Sequence, residues 1–177
     1  MSRLRATLVV SILAVSMVCR AAPSGAEVSD QVLATRTLGP RWREVSRAAG
    51  MIFSGTVLGV EAQKAGKQNP LPVVIITLRV DRAVAGVKAG QRLTIREWAG
   101  AWNLHRPLIT GEKTFLVLYP PSQLGLTSPI GGSLGMVALD GRGGVAAQVR
   151  HQKDAPASVA NGTMLQLERA IRSARGN

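Results

Sequence analysis

Five residues, Phe115-Leu116-Val117-Leu118-Tyr119, followed at once by Pro120 and Pro121, restrict this chain more than any other feature. The run is too short for a helix and has turn residues on both sides, so it reads as a central, buried strand. Neither proline can donate to a β-ladder, so the strand has to stop there. The Gly/Pro/Ser-rich stretch that continues to Gly135 reads as a loop. It nevertheless keeps Leu124, Leu126 and Ile130, and is expected to pack over the rest of the fold.

The same alternation logic applies upstream. Val74, Ile76, Leu78 and Val80 face one way and Thr77, Arg79 and Asp81 the other, which predicts a strand over 73–84. A strand is predicted at 51–62, where Gly55 and Gly59 invite a bulge or strong curvature. A third spans 92–98 with Leu93 and Ile95 inward, and a fourth covers 113–119. A fifth at 136–139 turns at Asp140-Gly141-Arg142-Gly143-Gly144 into a sixth at 145–150.

Helices flank the strands. Residues 40–49 read as a short helix, with Thr37 as N-cap, Pro40 in the first turn, Trp42 as packing anchor and Gly50 as the stop. At the other end Thr163-Met164-Leu165-Gln166 supplies a capping box. Met164, Leu167 and Ile171 form one stripe, and Arg169, Arg172 and Arg175 sit where positive charge complements the helix dipole. The expected fold is therefore mainly β: a small OB-like Greek-key barrel of five to six strands with a short N-terminal and a C-terminal helix. A β-sandwich is the alternative. The divisions are 1–21, 22–36 as a flexible leader, 37–155 as the barrel domain and 156–177 as the C-terminal helix.

Residues 1–21 carry the order of a secretory signal: Arg3 and Arg5, an apolar run from Ala6 to Val18, then Ala21 and Ala22. Cleavage after Ala21 or Ala26 fits the small-residue rule, and the expected location is periplasmic or extracellular. The apolar run is too short to span a bilayer, and no second long one follows, so no transmembrane segment is expected in the mature chain. Cys19 is the only cysteine and lies in this leader, behind a poor lipoprotein box, Ser16-Met17-Val18. The mature chain then has no disulfide, thiolate metal site or cysteine nucleophile. About 155 residues suffice for one cored domain without such staples.

The chain has 22 basic and 10 acidic residues; without Arg3, Arg5 and Arg20 the balance is 19 to 10, a net charge of +9. That favours anionic partners such as envelope phospholipid or acidic polysaccharide, or else reflects only an arginine-rich surface. The cations form no run, six aromatics leave little for base stacking, and export removes the protein from the cytosol. Nucleic acid is not expected as a partner.

Gly131-Gly132-Ser133-Leu134-Gly135 matches G-x-S-x-G, with Asp140 and His151 following in hydrolase order. The context argues for a turn instead: a proline-containing loop precedes the serine, a strand follows, and no βα units separate the three residues. A serine hydrolase is the remote alternative. His105 and His151 lack metal-ligand spacing, although a mixed site of His105 with Glu97 or Glu112 is conceivable. No cofactor, metal or catalytic residue is expected.

The stretch from Glu97 to Arg106 holds two of the three tryptophans, a histidine and an arginine beside one predicted loop. Trp98, Trp102, His105, Arg106 and Glu112 are the candidate binding residues, since aromatic faces supply contact area and arginine pairs with anions. The structural alternative is that the indoles cap the open end of the barrel, their N–H groups satisfied by Glu97 or Glu112. Glu112 is expected to pair with Arg106 or Arg96 and fix the loop.

Ala49, Ile52, Phe53, Gly55 and Val57, then Val84 and Gly86, then Gly111, Glu112, Phe115, Leu116 and Leu118 form a pattern that resembles the netrin-like OB domain. That domain is shared by the tissue inhibitors of metalloproteinases and bacterial exported relatives, and the likeness covers residues 45–120. It implies a barrel and a protease-inhibitor or protease-associated module. Those inhibitors present an N-terminal cysteine to the protease zinc, and the expected mature chain starts with alanine or glutamate. The expectation is thus an exported, non-enzymatic binding domain, acting on an exported protein such as a protease or on an anionic envelope component.

Overall fold

The computed structural model describes residues 25–66, 70–140, 144–145 and 163–176. Helices α1 (Gly25–Leu38) and α2 (Trp42–Ala48) precede strands β1 (Met51–Gln63), β2 (Val73–Ala85) and β3 (Arg92–Trp98). A single helical turn, α3 (Ala99–Trp102), leads by a loop to β4 (Lys113–Leu118). A 3₁₀ turn (Gly132–Gly135), β5 (Met136–Ala138) and α4 (Met164–Arg175) follow. The five strands form one sheet in the order β3-β2-β1-β4-β5, and every neighbouring pair is antiparallel.

Both faces of β4 are covered, which explains its unbroken apolar run. Phe115 and Val117 join a core with Leu38, Trp42, Ile52, Leu167 and Ile171, formed against the helices. Leu116 and Leu118 point the other way, into a second core with Phe53, Val57, Ile76, Leu78, Val80 and Ile95. The alternation in β2 places its apolar face in this second core: Ile76, Leu78 and Val80 are fully buried. Register slips between Ser54 and Gly55 and between Val57 and Gly59 let β1 bend around it.

The sheet is not closed into a barrel. Its two sides are bridged by the loop after β4, where the Thr127 N–H donates to the Arg96 carbonyl of β3 (2.8 Å). The same loop folds back on its own strand: Ile130 N–H donates to Val117 O and Tyr119 N–H to Ser128 O. Ile130 and Thr127 are buried by this return, whereas Leu124, expected to pack, stands exposed at the tip of the Ser122–Gly125 turn. Of the expected sixth strand only Val145 is described, in an isolated bridge with Leu139; the rest lies outside the described residues, as do the signal region, Cys19 and His151.

Two readings at the N-terminus need correction. Residues 25–38 are helical where a flexible leader was expected. Asp30, Leu33, Ala34 and Leu38 recur at helical spacing and are buried, and the Asp30 carboxylate takes both arms of Arg169 from α4. The stripe is narrow and one of its members is charged, so polar composition masked it. Thr37 lies within α1, and α2 starts after Arg41 with no side-chain cap. Trp42 is 2% exposed, as befits an anchor. At the far end the capping box forms: Gln166 N–H donates to Thr163 Oγ1, and Thr163 N–H to Gln166 Oε1.

Candidate functional site

The strand order dictates where the tryptophan loop goes. The chain leaves β3 at one edge and must re-enter beside β1 as β4, so residues 99–112 cross the end of the second core. Leu108 is buried there, with Ala99 and Trp102 packed partly against the same cluster. Ala99 N–H donates to Pro72 O, which ties the loop's start to the beginning of β2. Its end is fixed by a reciprocal pair, Gly111 N–H to Val57 O and Val57 N–H to Glu112 O.

Two carboxylates hold the span between these ties. Glu97 continues the inward series Leu93-Ile95 and is 2% exposed. Its Oε1 lies 3.0 Å from His105 Nε2, and the two side chains are 3% and 2% exposed. Burial drives the Glu97 pKa above the ordinary carboxylate value, against the opposing pull of the His105 hydrogen bond. His105 Nδ1 lies 3.1 Å from the Arg106 carbonyl, and the Trp102 ring meets the imidazole edge-on at 5.3 Å.

Glu112 clamps the other half. Arg106 donates to both of its oxygens at 2.9 and 2.5 Å, and the Ile109 N–H adds a third contact at 3.2 Å. The hydrogen bonds to Glu112 raise the already high Arg106 pKa. The guanidinium fork expected to meet an external anion is therefore occupied from within. Glu112 takes Arg106, one of the two arginines expected for it, and Glu97 takes His105, so neither carboxylate serves the indoles as the structural alternative had it.

Trp98 and Trp102 part company. Trp102 is half-buried against the core, while Trp98 at the strand end is 48% exposed. The Trp98 ring lies over Gly100, where a Cβ would sit 2.4 Å from the indole, so only glycine permits that approach. The loop also exposes two residues that sequence reasoning passed over, Leu104 at 82% and Ile109 at 65%. A leucine and an isoleucine in a loop that must also cover a core give no sign, in sequence, of which way each points.

Elsewhere, Ser133 is exposed in the 3₁₀ turn, behind Gly131 and Gly132 with φ of 70° and 62°, and Asp140 accepts from the Gly144 N–H. Among the described residues no group of three His, Cys, Asp or Glu side chains is placed to hold a metal ion, and no helix is long and apolar enough to cross a membrane. No protein-family model and no curated protein sequence matches the chain.

The Glu112 clamp has a measurable consequence. Glu112→Ala is expected to cost only about 1 kcal/mol of global stability, because the Arg106 side chain is 44% exposed and solvent screens the pair. Local order should suffer more. Amide exchange followed by NMR should accelerate at Ile109 and its neighbours while the β1–β2 amides stay protected.

Proposed function

We propose that this chain is an exported, non-enzymatic binding domain of OB-like type whose contact surface is the loop following β3. The barrel-like part of this reading is supported by the strand order, the bending of β1 at its register slips, and the Thr127–Arg96 link across the gap. The binding part is carried by one observation. Trp98 at the end of β3 and Leu104 and Ile109 on the loop after it are exposed, while the charged groups of that loop are paired internally.

Such a loop offers an apolar contact held in one conformation, so little ordering entropy is lost on association. Its partner is an exported protein with an apolar surface; an exported protease is the form that the netrin-like resemblance favours. Net positive charge adds long-range attraction to anionic surfaces, which should weaken with salt, whereas the apolar contact should not.

The test is affinity capture from the native exported fraction with the wild-type chain and with Leu104→Asp/Ile109→Asp. Two buried aliphatic side chains are worth about 3 kcal/mol, so the double variant is expected to bind on the order of 100-fold more weakly. Unchanged circular dichroism would show that the fold survives. Equal capture by both proteins would place the contact elsewhere.

A further inference from the structure

We propose that Glu97 and His105 form a proton-operated latch: a single proton held between Oε1 and Nε2 keeps the loop 99–112 closed, and its loss releases the loop. The ring's other nitrogen fixes the tautomer. His105 Nδ1 faces the Arg106 carbonyl at 3.1 Å, and a carbonyl only accepts, so Nδ1 carries a hydrogen. A neutral imidazole protonated there has a bare lone pair on Nε2. That lone pair would point at Glu97 Oε1, 3.0 Å away, and an ionised carboxylate offers only lone pairs in return.

The contact therefore needs one proton between the two atoms, either as imidazolium against carboxylate or as neutral imidazole accepting from a carboxylic acid. With no proton, two lone pairs and an uncompensated carboxylate are buried together. With two, a buried cation loses its counter-charge. Both are expensive in a site whose side chains are 2–3% exposed.

Nothing else on the surrounding elements can take over the charge. The inward residues of β2 beside Glu97 are Val74, Ile76 and Leu78, and α3 is Ala99-Gly100-Ala101-Trp102. The residues that β1, β4 and β5 bring to that core, Met51, Phe53, Val57, Leu116, Leu118 and Met136, are apolar as well, and the buried Thr114 of β4 is neutral. Arg96 precedes Glu97 on the opposite face of β3, and Arg106 and Glu112 on the loop are bound to each other.

The sign follows from proton counting. In the open loop Glu97 and His105 meet water, which hydrates the bare carboxylate and imidazole, so no shared proton is needed. The closed state then holds one proton more than the open state, so opening is favoured as pH rises. The raised Glu97 pKa acts in the same sense, because the stability it contributes is lost as pH climbs through the folded value.

The consequence for binding rests on the loop being the contact surface, but the latch itself can be tested with no partner present. Exchange of the amides in 99–112, corrected for intrinsic rate, should rise about tenfold per pH unit above neutrality, one proton being released per opening. In Glu97→Gln the side-chain amide can donate to the bare Nε2, so the loop needs no shared proton and its protection should be flat with pH. Equal pH slopes in the two proteins would overturn the proposal. Ring ¹⁵N shifts of His105 in the wild-type chain give an independent reading: Nδ1 should be protonated across the range, and a bare Nδ1 would overturn it even if the variant did not fold.

Discussion

Phe115→Ala is expected to destabilise the fold by about 3–5 kcal/mol, and Leu116→Ala, its neighbour in β4, by about 2–5 kcal/mol. Both side chains are fully buried, but in different cores. Phe115 is aligned with Ser54 in β1 and Val137 in β5, and its ring lies on the helical side with Trp42 and Leu167. Leu116 is aligned with Phe53 and Met136 and helps fill the concave side. A domain of this size is stable by only about 5–15 kcal/mol, so either truncation removes a large share of the total. Urea unfolding of the two variants measures it, as a lowered midpoint at unchanged slope. The paired design tests the architecture as well. A sheet with one solvated face would make one of two adjacent truncations nearly harmless; two buried faces make both severe.

Whether a strand is buried on one face or on both also decides how it reads in the sequence. In β2 apolar and polar residues alternate from Ile76 to Asp81, and there the pattern maps onto burial. In β4 the lack of alternation carried the information, since a short apolar run closed by two prolines has few other uses. The Thr163–Gln166 cap could be read because its chemistry is entirely local. Helix α1 could not, because its stability comes from α4, 125 or more residues away in the chain, through Asp30–Arg169 and the burial of Ala34 and Leu38.

The candidate site was legible in part for similar reasons. Gathering Trp98, Trp102, His105, Arg106 and Glu112 required only their closeness in the chain, whereas for Glu112 the sequence left Arg106 and Arg96 open and the fold selects Arg106. The Glu97–His105 pairing depends on the strand's inward series running one step further than its hydrophobic residues do. Leu93 and Ile95 announce that series, and Glu97 occupies its next inward position. A charged residue at that position does not by itself announce a buried polar contact, which only the crossing loop's His105 completes. The exposure of Leu104 and Ile109 had no local signature at all, since it depends on how the loop crosses the core.

Among the described glycines, Gly86→Ala should be the most damaging substitution. Gly86 has φ of +72°, a left-handed conformation that costs an L-residue free energy wherever it occurs. The added carbon would also stand 2.0 Å from the Gly50 carbonyl oxygen and 3.2 Å from Met51 Cα, both backbone atoms that cannot rotate away. Relief requires the turn after β2 to move away from the start of β1. That start is itself pinned, since Gly50 N–H donates to Leu118 O and a Cβ on Gly50 would meet Pro120. The strain at φ and the overpacking each amount to about 1–3 kcal/mol, giving a combined loss of about 2–6 kcal/mol. Thermal unfolding of Gly86→Ala beside Gly90→Ala separates the two contributions. Gly90 shares the positive φ, at +78°, but a Cβ there would meet open space. Gly90→Ala should therefore show the backbone strain alone, and the excess destabilisation of Gly86→Ala measures how closely the turn after β2 presses on the first residues of β1.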